Sequence, residues 1–198
     1  MQLAHRLIPA VALAVLSATA NASTITYNSS AAFLARVLPG FYTETFDGLA
    51  VPPAGPLGFS GGAFSYSVSA PQDLFSAGAF LETSQINEAL TITFNGGNVR
   101  AVGGNFFAVD LNDEFQSMAV TVSLGDGTVE TFTAASMANS YRGFTSDFAI
   151  NSLVISGPGA SRYAAIDNLT VGTVPEPTSW ALVGLALSGL VVARRRSI

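Results

Sequence analysis

Phe64-Ser65-Tyr66-Ser67-Val68-Ser69 alternates strictly, an apolar side chain and then a serine, three times in succession. Successive side chains of a strand point to opposite faces, so a period of two predicts a strand with one face on a core and the other in water. The pattern recurs downstream. Leu90, Ile92 and Phe94 alternate with Thr91 and Thr93, and Met118, Val120, Val122 and Leu124 alternate with the small or polar residues between them. That last run meets Gly125-Asp126-Gly127, which reads as a hairpin turn, and Thr128 to Thr133 returns from it.

Outward from these runs the signals are shorter. Thr24 to Asn28 reads as a strand. Ser29 or Ser30 can cap a helix through Ala31 to Leu38, with Phe33, Leu34, Val37 and Leu38 on one face and Pro39-Gly40 ending it. Phe41 to Asp47 is the next expected strand, and Leu49 to Gly62 reads as a Pro/Gly loop. Asn98 to Asp110 is a longer strand, with a bulge or bend expected at Gly103-Gly104. Phe148 to Ser156 and Arg162 to Gly172 close the series. About nine short strands joined by turns predict an all-β fold, an antiparallel β-sandwich or jelly roll with one short N-terminal helix. Residues 23–173 form that domain, long enough to bury about 70% of the surface of the unfolded chain.

Composition narrows the chemistry. The chain has no cysteine, so no disulfide holds the domain together. It has no lysine. Within 23–173 only Arg36, Arg100, Arg142 and Arg162 stand against twelve acidic residues, a net charge of −8. Such a body repels nucleic acid and anionic membrane surfaces. The one histidine, His5, precedes the domain. A domain without His, Cys or Lys has no Ser-His-Asp triad, no thiolate nucleophile, no Schiff-base lysine and no His-ligated zinc. Glycoside hydrolysis on two carboxylates remains the one enzymatic option, with Glu44, Glu82, Glu88 and Glu130 as candidates. A solvated surface carboxylate is the expectation for each, and the protein is expected not to be an enzyme.

The two ends read differently from the middle. At the N-terminus, His5 and Arg6 precede an apolar run from Leu7 to Ala20, and Ala20-Asn21-Ala22 fits the A-x-A pattern of signal-peptide cleavage. Residues 1–22 are therefore expected to be a signal peptide. At the other end stand Val174-Pro175-Glu176-Pro177, then Trp180, an almost wholly apolar run to Ala193, and Arg194-Arg195-Arg196. Trp180 to Ala193 is 14 residues. As a helix it spans about 21 Å, short of the roughly 30 Å of bilayer hydrocarbon. The arginines fit a cytoplasmic stop and the tryptophan the opposite interface. The prolines hold Glu176 in extended, solvated chain.

These residues, in this order, resemble the PEP-CTERM sorting signal of exopolysaccharide-making Gram-negative bacteria. The resemblance covers 174–198. It implies a short transmembrane sorting helix, transient residence in the inner membrane, processing by an exosortase, and final placement at the cell surface or in the extracellular matrix. Such tails are also labelled ice-binding protein C-terminal domains. Ice binding would need a flat, regular array of threonines, and the threonines here are scattered along the sequence.

One further arrangement concerns carboxylates. Glu44 shares the strand parity of Tyr42 and Phe46, Asp110 that of Phe106, and Asp167 that of Tyr163, Leu169 and Val171. Carboxylates on apolar faces need partners, and a hard cation bound through oxygen would supply one. Phe46-Asp47-Gly48 together with Ile166-Asp167-Asn168-Leu169 resembles the structural calcium arrangement of jelly-roll carbohydrate-binding modules. The expectation is one structural Ca²⁺ on Glu44, Asp47 and Asp167, with Asp110 as a further ligand; the alternative turns these side chains to solvent or pairs one with Arg36 or Arg162. Asp110-Leu111-Asn112-Asp113-Glu114 is not an EF-hand loop, since Phe115 and Thr121 replace its glycine and its terminal acid.

Two roles follow. One is a non-enzymatic surface or matrix protein associated with exopolysaccharide or biofilm. The other is a carbohydrate-binding sandwich module. The only tryptophan lies in the tail. A sugar platform in the domain would therefore fall to Tyr27, Tyr42, Tyr66, Tyr141 or Tyr163, two or three of them on one exposed face.

Overall fold

The computed structural model describes residues 24–49 and 55–176. The expected signal peptide, with Ala20 and Ala22, and the tail residues Pro177, Trp180 and Arg194 to Arg196 lie outside the described residues. Among those described, no helix is long and apolar enough to cross a membrane.

The strands are β1 (Thr24–Tyr27), β2 (Tyr42–Glu44), β3 (Leu57–Gly61), β4 (Phe64–Ser69), β5 (Leu74–Phe75), β6 (Leu81–Thr83) and β7 (Leu90–Asn95). They continue with β8 (Ala101–Val109), β9 (Phe115–Gln116), β10 (Ala119–Leu124), β11 (Val129–Thr133), β12 (Tyr141–Ser146), β13 (Ser152–Ile155) and β14 (Tyr163–Gly172). One helix, α1 (Ser30–Leu34), and a 3₁₀ turn at Met137–Asn139 complete the set. All pairings are antiparallel. The larger sheet runs β1-β12-β8-β14-β6-β5, with β2 also on β14 and β9 on β8; the smaller runs β11-β10-β13-β7-β4-β3. The two pack face to face as a sandwich, as the alternating runs predict.

Phe64, Tyr66 and Val68 of β4, Leu90, Ile92 and Phe94 of β7, and Val120, Val122 and Leu124 of β10 all enter the core between the sheets. The larger sheet meets them with Val102, Phe106, Phe144, Ile166, Leu169 and Val171. The hairpin at 125–127 closes through Gly127 N–H to Leu124 O (3.0 Å) and Leu124 N–H to Thr128 O (2.8 Å).

The larger sheet differs in having its outer face covered as well. Phe33, Val37, Ala101 and Tyr141 form one cluster there, and Phe80, Phe107, Val109 and Ala165 another. Glycines make room for the first. A Cβ on Gly143 would stand 2.6 Å from the Phe33 ring, one on Gly103 2.4 Å from the Tyr141 hydroxyl, and one on Gly172 2.5 Å from Val37.

Four expectations are corrected, and one strand is added. The helix is one turn shorter than predicted: Ser29 caps it, but it ends at Leu34, and only Phe33 and Val37 of the four apolar residues are buried, Leu34 and Leu38 staying exposed. The strand expected over 41–47 stops at Glu44, because Phe46 takes a left-handed φ of 58° that turns its ring into the core. The loop expected over 49–62 contains β3, which pairs with β4 along its whole length. Tyr141–Ser146, not foreseen, is β12. Finally, β8 runs unbroken through Gly103-Gly104; the irregularity lies on its partner, where the β14 register shifts between Asp167 and Thr170 with Asn168 at φ 53°. The glycines are needed for close approach, since a Cβ on Gly104 would stand 3.1 Å from the Asp167 carbonyl oxygen.

Candidate functional site

The bulge at Asn168 decides where the predicted carboxylates point. One extra residue reverses the alternation. Leu169 and Val171 face the core between the sheets, whereas Tyr163 packs on the outer face, so Asp167 does not share a side with all three. Its backbone pairs with Asn105, an outer-face residue of β8. Asp167 accepts hydrogen bonds from Asn168 N–H and from the Asn168 side-chain amide, both at 2.7 Å. Burial raises its pKa, the Asn168 bond opposes the rise, and the like charge of nearby Asp47 adds to it. Asp47 is thus near enough for its charge to be felt at Asp167, beyond the end of the β2–β14 pairing.

Glu44 and Asp110 do not join them in a four-carboxylate cage. Glu44 sits opposite Leu169 on β2 but accepts from the Tyr42 hydroxyl and from Phe46 N–H (3.1 Å). Burial, then the Glu44 hydrogen bond and charge, push the Tyr42 hydroxyl up to about 12. Asp110 ties up its own loop, accepting from Asn112 N–H (2.9 Å), Glu114 N–H (3.2 Å) and the Gln116 amide (2.9 Å). Among the described residues, no three acidic, histidine or cysteine side chains converge as a metal-binding group. Nor do arginines neutralise these acids. Arg162 donates to the carbonyls of Ala160 and Ser161, and the one ion pair among the described residues is Arg142 to Glu130, at 3.6 Å. Arg142 also stacks 3.7 Å over the Phe132 ring, linking β12 of one sheet to β11 of the other.

A different carboxylate pair emerges on the same outer face. Glu82 of β6 is 3% exposed and its Oε2 has no hydrogen-bond partner. It lines a cavity of about 190 Å³ together with Phe75, Thr83, Ser84, Leu111, Asp113 and Tyr163. Burial first, and then the neighbouring Asp113 carboxylate, push the Glu82 carboxyl up to about 8. Asp113 reaches it from the 110–114 loop at a left-handed φ of 60°. Sequence reasoning weighed Glu82 alone and met Asp113 only in the rejected EF-hand pattern; their meeting depends on how the loop folds over β6.

The tyrosines do not form a platform. Tyr66 and Tyr141 are buried, with unpartnered hydroxyls, and Tyr27 and Tyr163 pack in separate clusters. The outer face of the smaller sheet is lined by hydroxyls instead. Register places Ser65, Ser67 and Ser69 beside Asn95, Thr93 and Thr91, and Thr121 beside Thr131, with Ser152 next to Thr93. The Thr121 and Thr131 hydroxyls are 2.8 Å apart. Threonines and serines scattered in sequence thus share one face, and none of these positions carries a charge.

Where the last strand ends, the chain leaves the sandwich in steps. Arg100 N–H still bonds Gly172 O (2.9 Å), and Leu38 N–H bonds Thr173 O (2.9 Å). Val174 packs half-buried against the Phe33 cluster, and Pro175 and Glu176 are exposed. Among known proteins, the crystal structure of a Podospora anserina GH26-CBM35 β-(1,4)-mannanase is similar over 78% of this chain and 28% of that one, at 13% identity and a TM-score of 0.33. No curated protein matches the sequence. Residues 173–196 match the family model of the PEP-CTERM protein-sorting motif, and they begin at the step where the backbone of the sandwich is released. By that motif the chain is an exported protein, sorted through the membrane as an exosortase substrate.

Proposed function

We propose that this is a non-enzymatic protein of the cell surface or extracellular matrix of a Gram-negative bacterium, held in association with exopolysaccharide after exosortase processing. The observation that carries the reading is the sorting motif at 173–196. Its placement adds support: Val174 is anchored while Pro175 and Glu176 stand in water, so a processing enzyme reaches extended peptide without unfolding the domain. Within this reading the apolar run after Trp180 holds the protein transiently in the inner membrane.

Several features favour a non-catalytic role. Residues 23–173 hold no His, Cys or Lys. The four glutamates considered for glycoside hydrolysis are dispersed. Glu44 is held by Tyr42, Glu88 accepts from Gln72 N–H at the surface, and Glu130 pairs with Arg142. Glu82 is buried on β6, where it lines a cavity with Asp113.

Intact-mass spectrometry on protein from the native host, with and without the exosortase, tests the reading. Loss of the residues beyond Pro175-Glu176-Pro177 only when the enzyme is present is the expected result, and added mass at the new C-terminus identifies the attachment. An uncut tail in both strains overturns it.

A second reading, a glycan-binding module, draws on the smaller sheet. An acidic body needs cations to approach acidic polysaccharide, but its uncharged hydroxyl face can lie against a neutral chain directly.

A further inference from the structure

Both ends of the domain open at one place. Thr24, at the start of β1, is paired with Ser146 of β12. Ser146 N–H bonds Arg100 O, and Arg100 N–H bonds Gly172 O, the residue before Thr173. β1, β12, β8 and β14 are neighbours in that order, so Thr24, Ser146, Arg100 and Thr173 form a row across one end of the larger sheet. At about 4.8 Å per strand, the chain enters and leaves the domain about 14 Å apart.

Exposed apolar side chains surround this row. Ile25 follows Thr24, and Phe148 N–H donates to Ser146 Oγ (3.3 Å). Leu38 N–H bonds Thr173 O (2.9 Å), and a Cβ on Gly172 would stand 3.2 Å from that of Phe41. These four apolar residues are 40–53% exposed. Ile25 and Leu38 line one groove with Arg36, Asp147 and Pro175, so the departing chain runs through the patch. Charge is offset here, unlike in the domain as a whole. Arg36 lies in the groove with Asp147, Arg100 donates to the Asp147 carbonyl, and Asp126 accepts from the Thr24 hydroxyl (2.7 Å).

An exposed apolar patch marks an interaction surface, and chain length says what covers this one. Val174 is packed on the Phe33 cluster, and Trp180, where the apolar run begins, is six residues further on. Six residues reach at most about 22 Å when fully extended. With the tail in the bilayer and Trp180 at its interface, the patch is held within that distance of lipid. Burying its side chains among the headgroups then favours closing the gap.

We propose that Ile25, Leu38, Phe41 and Phe148 form a membrane-facing surface, which rests on the lipid headgroups while the tail is in the inner membrane. The inference depends on the reading that the apolar run after Trp180 holds the protein there. Docking of this end keeps Pro175 and Glu176 at the boundary of water and lipid, where a membrane enzyme meets them.

The test uses the protein exported by a host without the exosortase, purified with its tail intact and reconstituted in phosphatidylcholine vesicles. Its only tryptophan, Trp180, reports on the tail through quenching by brominated lipid. The chain has no cysteine, so Leu38→Cys, Phe148→Cys and Leu111→Cys each carry one polarity-sensitive dye. All three side chains are exposed, and the substitutions leave the core untouched. Leu111 is the control, 81% exposed and beyond the far end of β8, about 30 Å from the row. Expected are quenching of Trp180 and lipid quenching of the dyes at positions 38 and 148 several-fold stronger than at 111. Quenching of Trp180 with equal, weak quenching at all three dyes means that the domain stands off on its linker; it overturns the proposal and leaves the membrane reading intact. An unquenched Trp180 removes the membrane reading and the proposal with it. A blue shift at 38 and 148 without lipid quenching assigns the patch to a second copy of the chain and overturns the proposal too.

Discussion

Strand β4 of the smaller sheet alternates between buried and half-buried along its length, while β8 of the larger sheet is buried at every position but Asn105. Both are antiparallel strands with a partner strand on each side. The difference is what lies outside them. The smaller sheet shows its hydroxyl face to water; the larger is overlaid by α1, the 110–114 loop and the turn at 137–139. The side chains that raise chemical questions, Glu82, Asp113, Asp47 and Asp167, gather on the overlaid side. An outer layer creates cavities and strands polar groups away from water, and an open hydroxyl face does neither.

The sharpest way to break the comparison is to mutate the two outer faces. Phe33→Ala removes a ring that is fully buried outside the larger sheet, against Tyr27 and Tyr141 at 6.1 Å each. Its cost is that of a core aromatic, about 3–5 kcal/mol. Gly143 and Gly103 cannot refill the space, having no side chains. Thr93→Ala on the outer face of the smaller sheet changes stability by less than about 0.5 kcal/mol. Urea unfolding of both variants checks this. Equal, small losses would mean that the helix and its ring are an appendage rather than a second core.

The same asymmetry explains which parts of the fold the sequence discloses. β4, β7 and the β10–β11 hairpin bury one face each, so their alternation is visible as a period of two. In β12, Gly143 stands where the packing of Phe33 forbids a side chain, and Phe144 and Thr145 are buried on opposite faces; the run Tyr141-Arg142-Gly143-Phe144-Thr145-Ser146 has no alternation left to read. The glycines of β8 look like a break and are instead a seat, with the bulge displaced to Asn168 across the pair. The sorting motif is legible because its order of residues is local. The pairing of Glu82 with Asp113 is not, because it depends on a loop folding onto a distant strand.

A second effect concerns pH. Glu82 titrates at about 8 in the folded protein against an ordinary 4.5, through burial first and Asp113 second. The folded state then holds a proton that the unfolded chain releases across that interval. Stability falls as pH rises from about 4.5 to 8, by at most about 1.4 kcal/mol per unit, and levels off above. Asp167, also raised, adds a loss of the same sign. Denaturation in EDTA at pH 5 to 9 should show the decline in wild type and in Thr93→Ala, and a shallower one in Glu82→Gln. Parallel curves for all three would place the ionised Glu82 in a more polar setting than its burial implies.

The smallest effect on stability is on the hydroxyl face, and there it is function that should move. Thr93 is exposed and flanked by Ser67 and Ser152 on the neighbouring strands. Thr93→Glu places a carboxylate in the middle of an otherwise uncharged surface. Folding tolerates it, since an exposed charge keeps its hydration and the strand pairing is untouched, so unfolding shifts by less than about 0.5 kcal/mol. If the glycan-binding reading holds, a neutral polysaccharide lying on the face would have to strip water from that charge, and co-sedimentation with a neutral polysaccharide should drop several-fold. Undiminished co-sedimentation would acquit this face, and any glycan contact would then belong to the overlaid side of the larger sheet, where the cavities are.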